Sequence, residues 1–182
     1  MRRRATYADI EALPENKVGE IVDGELHVSP RPASLHARAS SRLTSRLNPP
    51  FDEGIGGPGG WIILVEPELH FPGMQVVVPD LAGWRRERMP ELPDVAHFTL
   101  APDWLCEVLS ESTTRFDRVK KMPLYARMGV KNIWLADPRA RTLEVYRLAG
   151  SDWLLVATFT EGKVRAEPFD AIELELGALW ER

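Results

Sequence analysis

Cysteine is almost absent from this chain: Cys106 is the only one in 182 residues. A single thiol excludes an intramolecular disulfide and any cysteine-based zinc site. Its place in an apolar run marks it as a small core residue. No run of about 18 apolar residues exists, so no membrane-spanning helix is expected. The start, Met1-Arg2-Arg3-Arg4, is basic but is followed by no apolar signal core, and the expected location is the cytoplasm. Net positive charge is missing as well. With 23 Lys and Arg against 27 Asp and Glu, the formal charge is −4 and the pI about 5.6. Attraction to a polyanion by bulk charge is thereby excluded, and any phosphate contact must come from local basic patches. The glycine-rich stretch Gly54-Ile55-Gly56-Gly57-Pro58-Gly59-Gly60 lacks the Gly-Lys-Ser/Thr ending of a phosphate loop, so it is a flexible connection and not a nucleotide site.

What remains has the composition of an ordinary globular chain, with no internal repeat and no long linker, and residues 1–182 are expected to form one domain. Thr6 and Asp9 spell a capping box for a short helix over residues 7–13, which Pro14 ends. Asp23-Gly24 between two alternating apolar runs predicts a hairpin over residues 18–28. Ser34 opens a helix to Leu47, with Leu35, Ala39, Leu43 and Leu47 on its buried face and Asn48-Pro49-Pro50 as its stop. Strands are expected at 61–66, 68–71 and 76–84. Residues 85–98 read as an exposed connection. Strand 104–110 is apolar at nearly every position, which predicts burial on both faces. A helix over 115–128 carries Pro123, so a kink or a restart near Met122 is expected before Gly129 ends it. A strand at 131–137 and a hairpin of 143–148 with 153–159 complete the pattern. The order is that of a mixed α/β fold, a central mixed sheet flanked by helices.

Two carboxylates stand out against this pattern. Asp80 ends the run Val76-Val77-Val78-Pro79-Asp80, and Glu107 lies within Trp104-Leu105-Cys106-Glu107-Val108-Leu109-Ser110. A carboxylate in an apolar strand is costly unless it is paired or bound to a cation. A basic helix follows, Asp117-Arg118-Val119-Lys120-Lys121, and Asp117, Lys121 and Tyr125 recur on one helical face. Two acids and a lysine in this order suggest a hard-metal site for Mg²⁺ or Mn²⁺ with a basic partner, the chemistry of phosphodiester cleavage. Lys121 is the candidate for stabilising developing charge. Lys120, about 100° away around the helix, points elsewhere. Glu20, on a strand with apolar neighbours, is a third acid for ligation or for orienting a water. Arg38, Arg42 and Arg46 form a stripe beside the leucine face of their helix. It reads either as a row of phosphate contacts or as a solvated flank. His36 opens the same helix as a capping residue or a further phosphate contact.

At these positions the chain resembles a known family. Pro79-Asp80, Glu107-Val108-Leu109-Ser110-Glu111-Ser112-Thr113, Asp117-Arg118-Val119-Lys120-Lys121, Tyr125-Ala126-Arg127-Met128-Gly129-Val130 and Trp134-Leu135-Ala136-Asp137-Pro138 are similar to the Uma-two-like family, a bacterial group of restriction-endonuclease-like proteins. Glu20-Ile21-Val22-Asp23-Gly24-Glu25-Leu26 and His36 also fit its pattern, so the resemblance spans residues 7–148. It implies the PD-(D/E)XK nuclease fold and a Mg²⁺-dependent site. By matching position, Asp80 is the motif aspartate and Glu107 the second acid. The motif lysine, two residues further on, is Leu109 here, and the resemblance assigns its role to Lys121 on the following helix.

These readings yield competing expectations. In the first, the protein is a metal-dependent DNA endonuclease. Asp80, Glu107 and the Val108 carbonyl bind Mg²⁺ or Mn²⁺, Lys121 stabilises the attacking hydroxide or the transition state, and Glu20 assists. Cutting both strands would call for two sites and hence a homodimer. In the second, the same fold is a catalytically silent nucleic-acid-binding or regulatory module. The third is a glycosidase built on two carboxylates, with tryptophans as sugar platforms. Trp134 and Trp153 fall in strand patterns and read as core instead.

Overall fold

The structure is a computed structural model that describes residues 3–181; Met1 and Arg2 of the basic start, and Arg182, lie outside it. Its first element is α1 (Tyr7–Glu11), closed at its N-terminus by the reciprocal bonds of Thr6 and Asp9. The hairpin follows as β1 (Lys17–Val22) and β2 (Glu25–Pro30), paired antiparallel from Val22 opposite Glu25. Both turn residues, Asp23 and Gly24, have positive φ, as the tight turn between right-twisted strands requires.

Helix α2 (Ser34–Leu47) buries Ala39, Leu43 and Leu47, while Leu35 is half-buried. The two prolines after it do not stop the chain from coiling. Residues Asn48–Glu53 continue as a wider helical turn with Pro49 and Pro50 at its start, and Gly54 at φ 74° ends it. Neither proline can donate an N–H, so the coil passes them with those intrahelical bonds missing.

The strands form two sheets. The larger has six strands: β3 (Trp61–Val65), β6 (Leu81–Arg85), β7 (Trp104–Val108), β8 (Asn132–Asp137), β9 (Thr142–Ala149) and β10 (Asp152–Phe159), in the order β10-β9-β8-β7-β6-β3. Only β7 and β8 pair parallel, and the basic helical segment, residues 114–127, is the crossover between them. The smaller sheet adds β4 (Leu69–Phe71) and β5 (Gln75–Val77) to the first hairpin, in the order β2-β1-β5-β4. Near the C-terminus, β11 (Lys163–Val164) and β12 (Leu174–Glu175) pair with each other, ahead of the short helical turn Gly177–Trp180.

The expected single strand over 76–84 is therefore two strands in different sheets. Pro79 has no N–H to give to a ladder, and the chain turns there from one sheet into the other. Asp80 lies at this corner and not inside a strand.

Each face of the six-stranded sheet has its own core. Trp104, Cys106, Val108, Trp134 and Ala136 face α2 and the C-terminal residues Phe169, Leu176, Leu179 and Trp180. Gly83 lets the indoles of Trp61 and Trp104 approach to 3.2 and 3.3 Å of where a Cβ would stand. On the opposite face, Leu105, Ile133 and Leu135 pack under Leu124 and Tyr125 of the basic helix and against Val22 and Val77 of the smaller sheet. β7 is thus buried on both faces, as its composition predicted. Strand alternation puts Glu107 on the second face, beside Leu105. All four tryptophans of the strands β3, β6, β7 and β8 are buried, Trp153 is half-buried, and Trp180 is buried at 7 % exposure. None is a platform for a sugar, which removes the structural basis of the glycosidase reading.

Candidate active site

The corner between the two sheets opens into a cavity of about 170 Å³. Glu20, His36, Asp80, Glu107, Asp117 and Lys121 line it together. Five of these six were expected to act at a site, and the fold brings them together from five segments. Glu20 comes from β1, Asp80 from the corner after Pro79, Glu107 from β7, and His36 from the first turn of α2. Asp117 and Lys121 bracket a wide helical turn, Asp117–Lys121, between the α-helical pieces Thr114–Phe116 and Met122–Arg127. The α-helix starts anew at Met122, with Pro123 in its first turn, at the place where the sequence predicted a kink or a restart. Gly129, at φ 78°, ends the segment as expected.

Lys121 is the hub. It is 2 % exposed, and its Nζ lies 2.8 Å from Glu20 Oε1, 2.8 Å from Glu107 Oε1 and 3.7 Å from Asp117 Oδ1. Burial alone would lower its pKa. Glu107 and Glu20 outweigh that, and Lys121 stands well above the ordinary lysine range as a fixed cation. Burial pushes Glu107 well above the usual carboxylate range against the pull of Lys121, and Asp117, Asp80 and Glu20 add to the rise. Burial likewise raises Asp117 from 3.8 to about 6, again opposed by Lys121.

The other donors orient the acids. Val78 N–H donates to Glu20 Oε1 at 2.9 Å, and Val108 N–H to Asp80 Oδ2 at 2.7 Å. The second bond ties the Asp80 carboxylate to the residue following Glu107, so the two acids are neighbours across the β6–β7 edge. His36 Nε2 is 3.1 Å from Asp80 Oδ1. Burial opposes protonation of His36, but the bond to Asp80 prevails and raises its pKa. Its Nδ1 is buried with no partner among the described residues.

Tyr125 is the residue that sequence reading left without a role. Its hydroxyl donates to Glu107 Oε1 at 2.6 Å. Burial and the Glu107 charge raise the phenol well above its usual range, so it remains a proton donor. The spacing of Asp117, Lys121 and Tyr125 was the available signal. What it lacked was the depth of the helix against β7, which only packing supplies.

The arginine stripe lies elsewhere. Arg38 Nε donates to the Glu181 carbonyl at 2.9 Å, and Arg42 Nη1 to the Ala178 carbonyl at 2.5 Å and to Glu181 Oε2 at 3.3 Å. Two of the three arginines thus clasp the C-terminal turn, while Arg46 is exposed one turn further on. None of the three lines the cavity.

With Glu66 and Arg31 also on its wall, the cavity sets five carboxylates against two fixed cations, an excess of acidic groups. An all-oxygen set of this kind fits a hard divalent cation. Among the described residues, the carboxylate oxygens of the cavity are not gathered into one tight ligand group, because each acid is drawn to its own protein donor.

The sequence pattern of the Uma2 family, described as "Putative restriction endonuclease", matches residues 5–177. The chain belongs to the Uma2 family. A crystal structure from Anabaena variabilis ATCC 29413, described as a putative nuclease belonging to DUF820, has a similar fold. Its TM-score is 0.77 at 24% sequence identity, and the match covers 97% of each chain. No curated protein matches the chain. In this Uma2 chain, Leu109 is 2 % exposed and packs in the apolar cluster under the basic helix. The cation of the site arrives instead from that helix. No helix among the described residues is long and apolar enough to cross a membrane.

Proposed function

We propose that this chain is a cytoplasmic metal-dependent endonuclease that hydrolyses DNA phosphodiester bonds. The observation that carries the reading is Lys121, a buried cation clamped at 2.8 Å by both Glu20 and Glu107 in the cavity that Asp80 also lines. Asp80, Glu107 and the Val108 carbonyl would hold Mg²⁺ or Mn²⁺. The bound ion supplies Lewis-acid chemistry, lowering the pKa of a water and offsetting charge on phosphate oxygens.

The chain's own groups do the rest. Lys121 presents a fixed positive charge to the negative charge that develops on the scissile phosphate, at no cost in reorganisation. Glu20 holds that ammonium from one side while Val78 N–H holds Glu20. Tyr125 keeps Glu107 oriented from the other side. His36 braces Asp80 at the cavity mouth.

A second reading, a catalytically silent nucleic-acid-binding module, draws on the protein donor that each acid already has. Plasmid cleavage separates the two. Purified protein with Mg²⁺ or Mn²⁺ should nick supercoiled DNA. Asp80→Ala and Glu107→Ala should abolish nicking, and Lys121→Met should slow it roughly 10²–10³-fold. Nicking that persists in excess chelator, or in the Asp80→Ala/Glu107→Ala double variant, would overturn the proposal. A complete lack of nicking with either ion would favour the silent module.

A further inference from the structure

Away from the cavity, on the outer strand of the smaller sheet, lies a cluster of different chemistry. Glu68, His70 and His97 place one ligand atom each within 4.8 Å of one another. We propose that these three residues form a second metal site, selective for a transition-metal dication of the Zn²⁺ class over Mg²⁺.

The geometry is held mainly by backbone. His70 N–H donates to the Phe98 carbonyl at 2.8 Å, and Phe98 N–H to the Glu68 carbonyl at 2.9 Å. These bonds flank a parallel bridge between Leu69 and Phe98. Two segments distant in sequence are thereby locked side by side before any ion arrives. The imidazoles of His70 and His97 stack at 3.8 Å with an interplanar angle of 12°. His70 Nε2 lies 2.6 Å from Glu68 Oε1. Ligands at about 2.0–2.1 Å from a tetrahedral ion stand roughly 3.4 Å apart. Stacked rings hold their in-plane lone pairs parallel, so binding an ion requires the exposed His97 to turn out of the stack and aim its nitrogen at the point that His70 and Glu68 face.

The surroundings resemble those of a metal site. Outer partners usually fix the ligands of a bound ion. Here the Tyr7 hydroxyl donates to Glu68 Oε1 at 2.8 Å, and the Tyr7 ring lies 5.0 Å from that of His70. Glu68 and His70 are half-buried and His97 is exposed, which leaves a fourth coordination position to water.

Ligand type sets the preference. Two imidazoles and one carboxylate suit a borderline ion, whereas the carboxylate-rich cavity suits a hard one. The cluster lies on β4, two strands away from β1 and Glu20, and shares no lining residue with the cavity. A bound ion would clip the long connection between β6 and β7 to the sheet edge, joining three stretches of chain at Tyr7, His70 and His97.

Calorimetric titration with Zn²⁺ in a large excess of Mg²⁺ tests this. The parent protein should bind one Zn²⁺ with micromolar or tighter affinity. His97→Ala should weaken that by at least about tenfold, as should His97→Gln, which keeps a polar side chain at this exposed position. Co²⁺ in place of Zn²⁺ should give the strong visible absorption of a four-coordinate ion in the parent and lose it in both variants. Equal Zn²⁺ affinity in parent and variants would overturn the proposal. So would an absence of binding, or displacement of Zn²⁺ by the Mg²⁺ present.

Discussion

At the scale of single residues, the site is organised by the burial of charge. Lys121 and the acids around it would each be expensive alone. Removing one partner of such a buried pair leaves an uncompensated charge, typically at about 3–5 kcal/mol. Asp117 has the poorest compensation, with its Lys121 contact at 3.7 Å. Its pKa, 3.8 when exposed, is about 6 in the folded chain. The folded state therefore binds more protons than the unfolded state between these values, and this group makes stability fall as pH rises through that window. The loss is roughly 3 kcal/mol by pH 7. Asp117→Asn should remove that decline. Urea unfolding in chelator from pH 4 to 7 should show the variant gaining on the parent as pH rises. Parallel profiles would mean that Asp117 titrates as an ordinary carboxylate.

At the scale of elements, the basic helix and α2 divide the work differently from the reading of their charges. The wide turn at Asp117–Lys121 carries both cavity residues of the basic helix, and it merges into an α-helical piece at Met122. The arginines of α2 serve its other neighbour. Arg38 and Arg42 satisfy carbonyls of the C-terminal turn, whose Leu179 and Trp180 close the core above the sheet. We expect Arg38→Ala/Arg42→Ala to lower the unfolding midpoint, since hydrogen bonds from charged groups contribute about 1.5–3 kcal/mol each before exposure discounts them. The dependence of DNA affinity on salt should be nearly unchanged by that pair and should flatten with Arg46→Ala, by roughly 0.9 per lost phosphate contact on duplex DNA. A flatter slope in the double variant, with stability intact, would return the whole stripe to phosphate binding.

At the scale of the whole molecule, the cavity exists only where the two sheets meet. Glu20 belongs to one sheet and Glu107 to the other, and Asp80 lies on the chain that joins them. An ion held there would bind the folded state and not the unfolded chain. Mg²⁺ at a hundred times its dissociation constant should then add about 2.7 kcal/mol of stability. Thermal unfolding with and without Mg²⁺ should show an upward shift in the parent that disappears in Asp80→Ala and in Glu107→Ala. An equal shift in all three proteins would place Mg²⁺ binding somewhere other than this cavity.

Local physics was legible in the order of residues. The capping box at Thr6 and Asp9, the Asp23-Gly24 turn, the leucine face of α2 and the doubly buried β7 depend on neighbours a few positions away, and each stands as its pattern predicted. The candidate acids Asp80 and Glu107 were also legible, because a carboxylate in an apolar setting breaks the local pattern, and the family resemblance pointed to Lys121. Other features rest on contacts between residues far apart in the chain. The break at Pro79 into two sheets, the continuation of α2 through Pro49 and Pro50, and the clasp of Arg38 and Arg42 on the C-terminal turn are of this kind. So are the bond from Tyr125 to Glu107 and the meeting of His70 with His97. A periodic pattern shows which face of an element is apolar, but not which other element covers it. That pairing was decided by packing, and it turned five separated segments into one charged cavity.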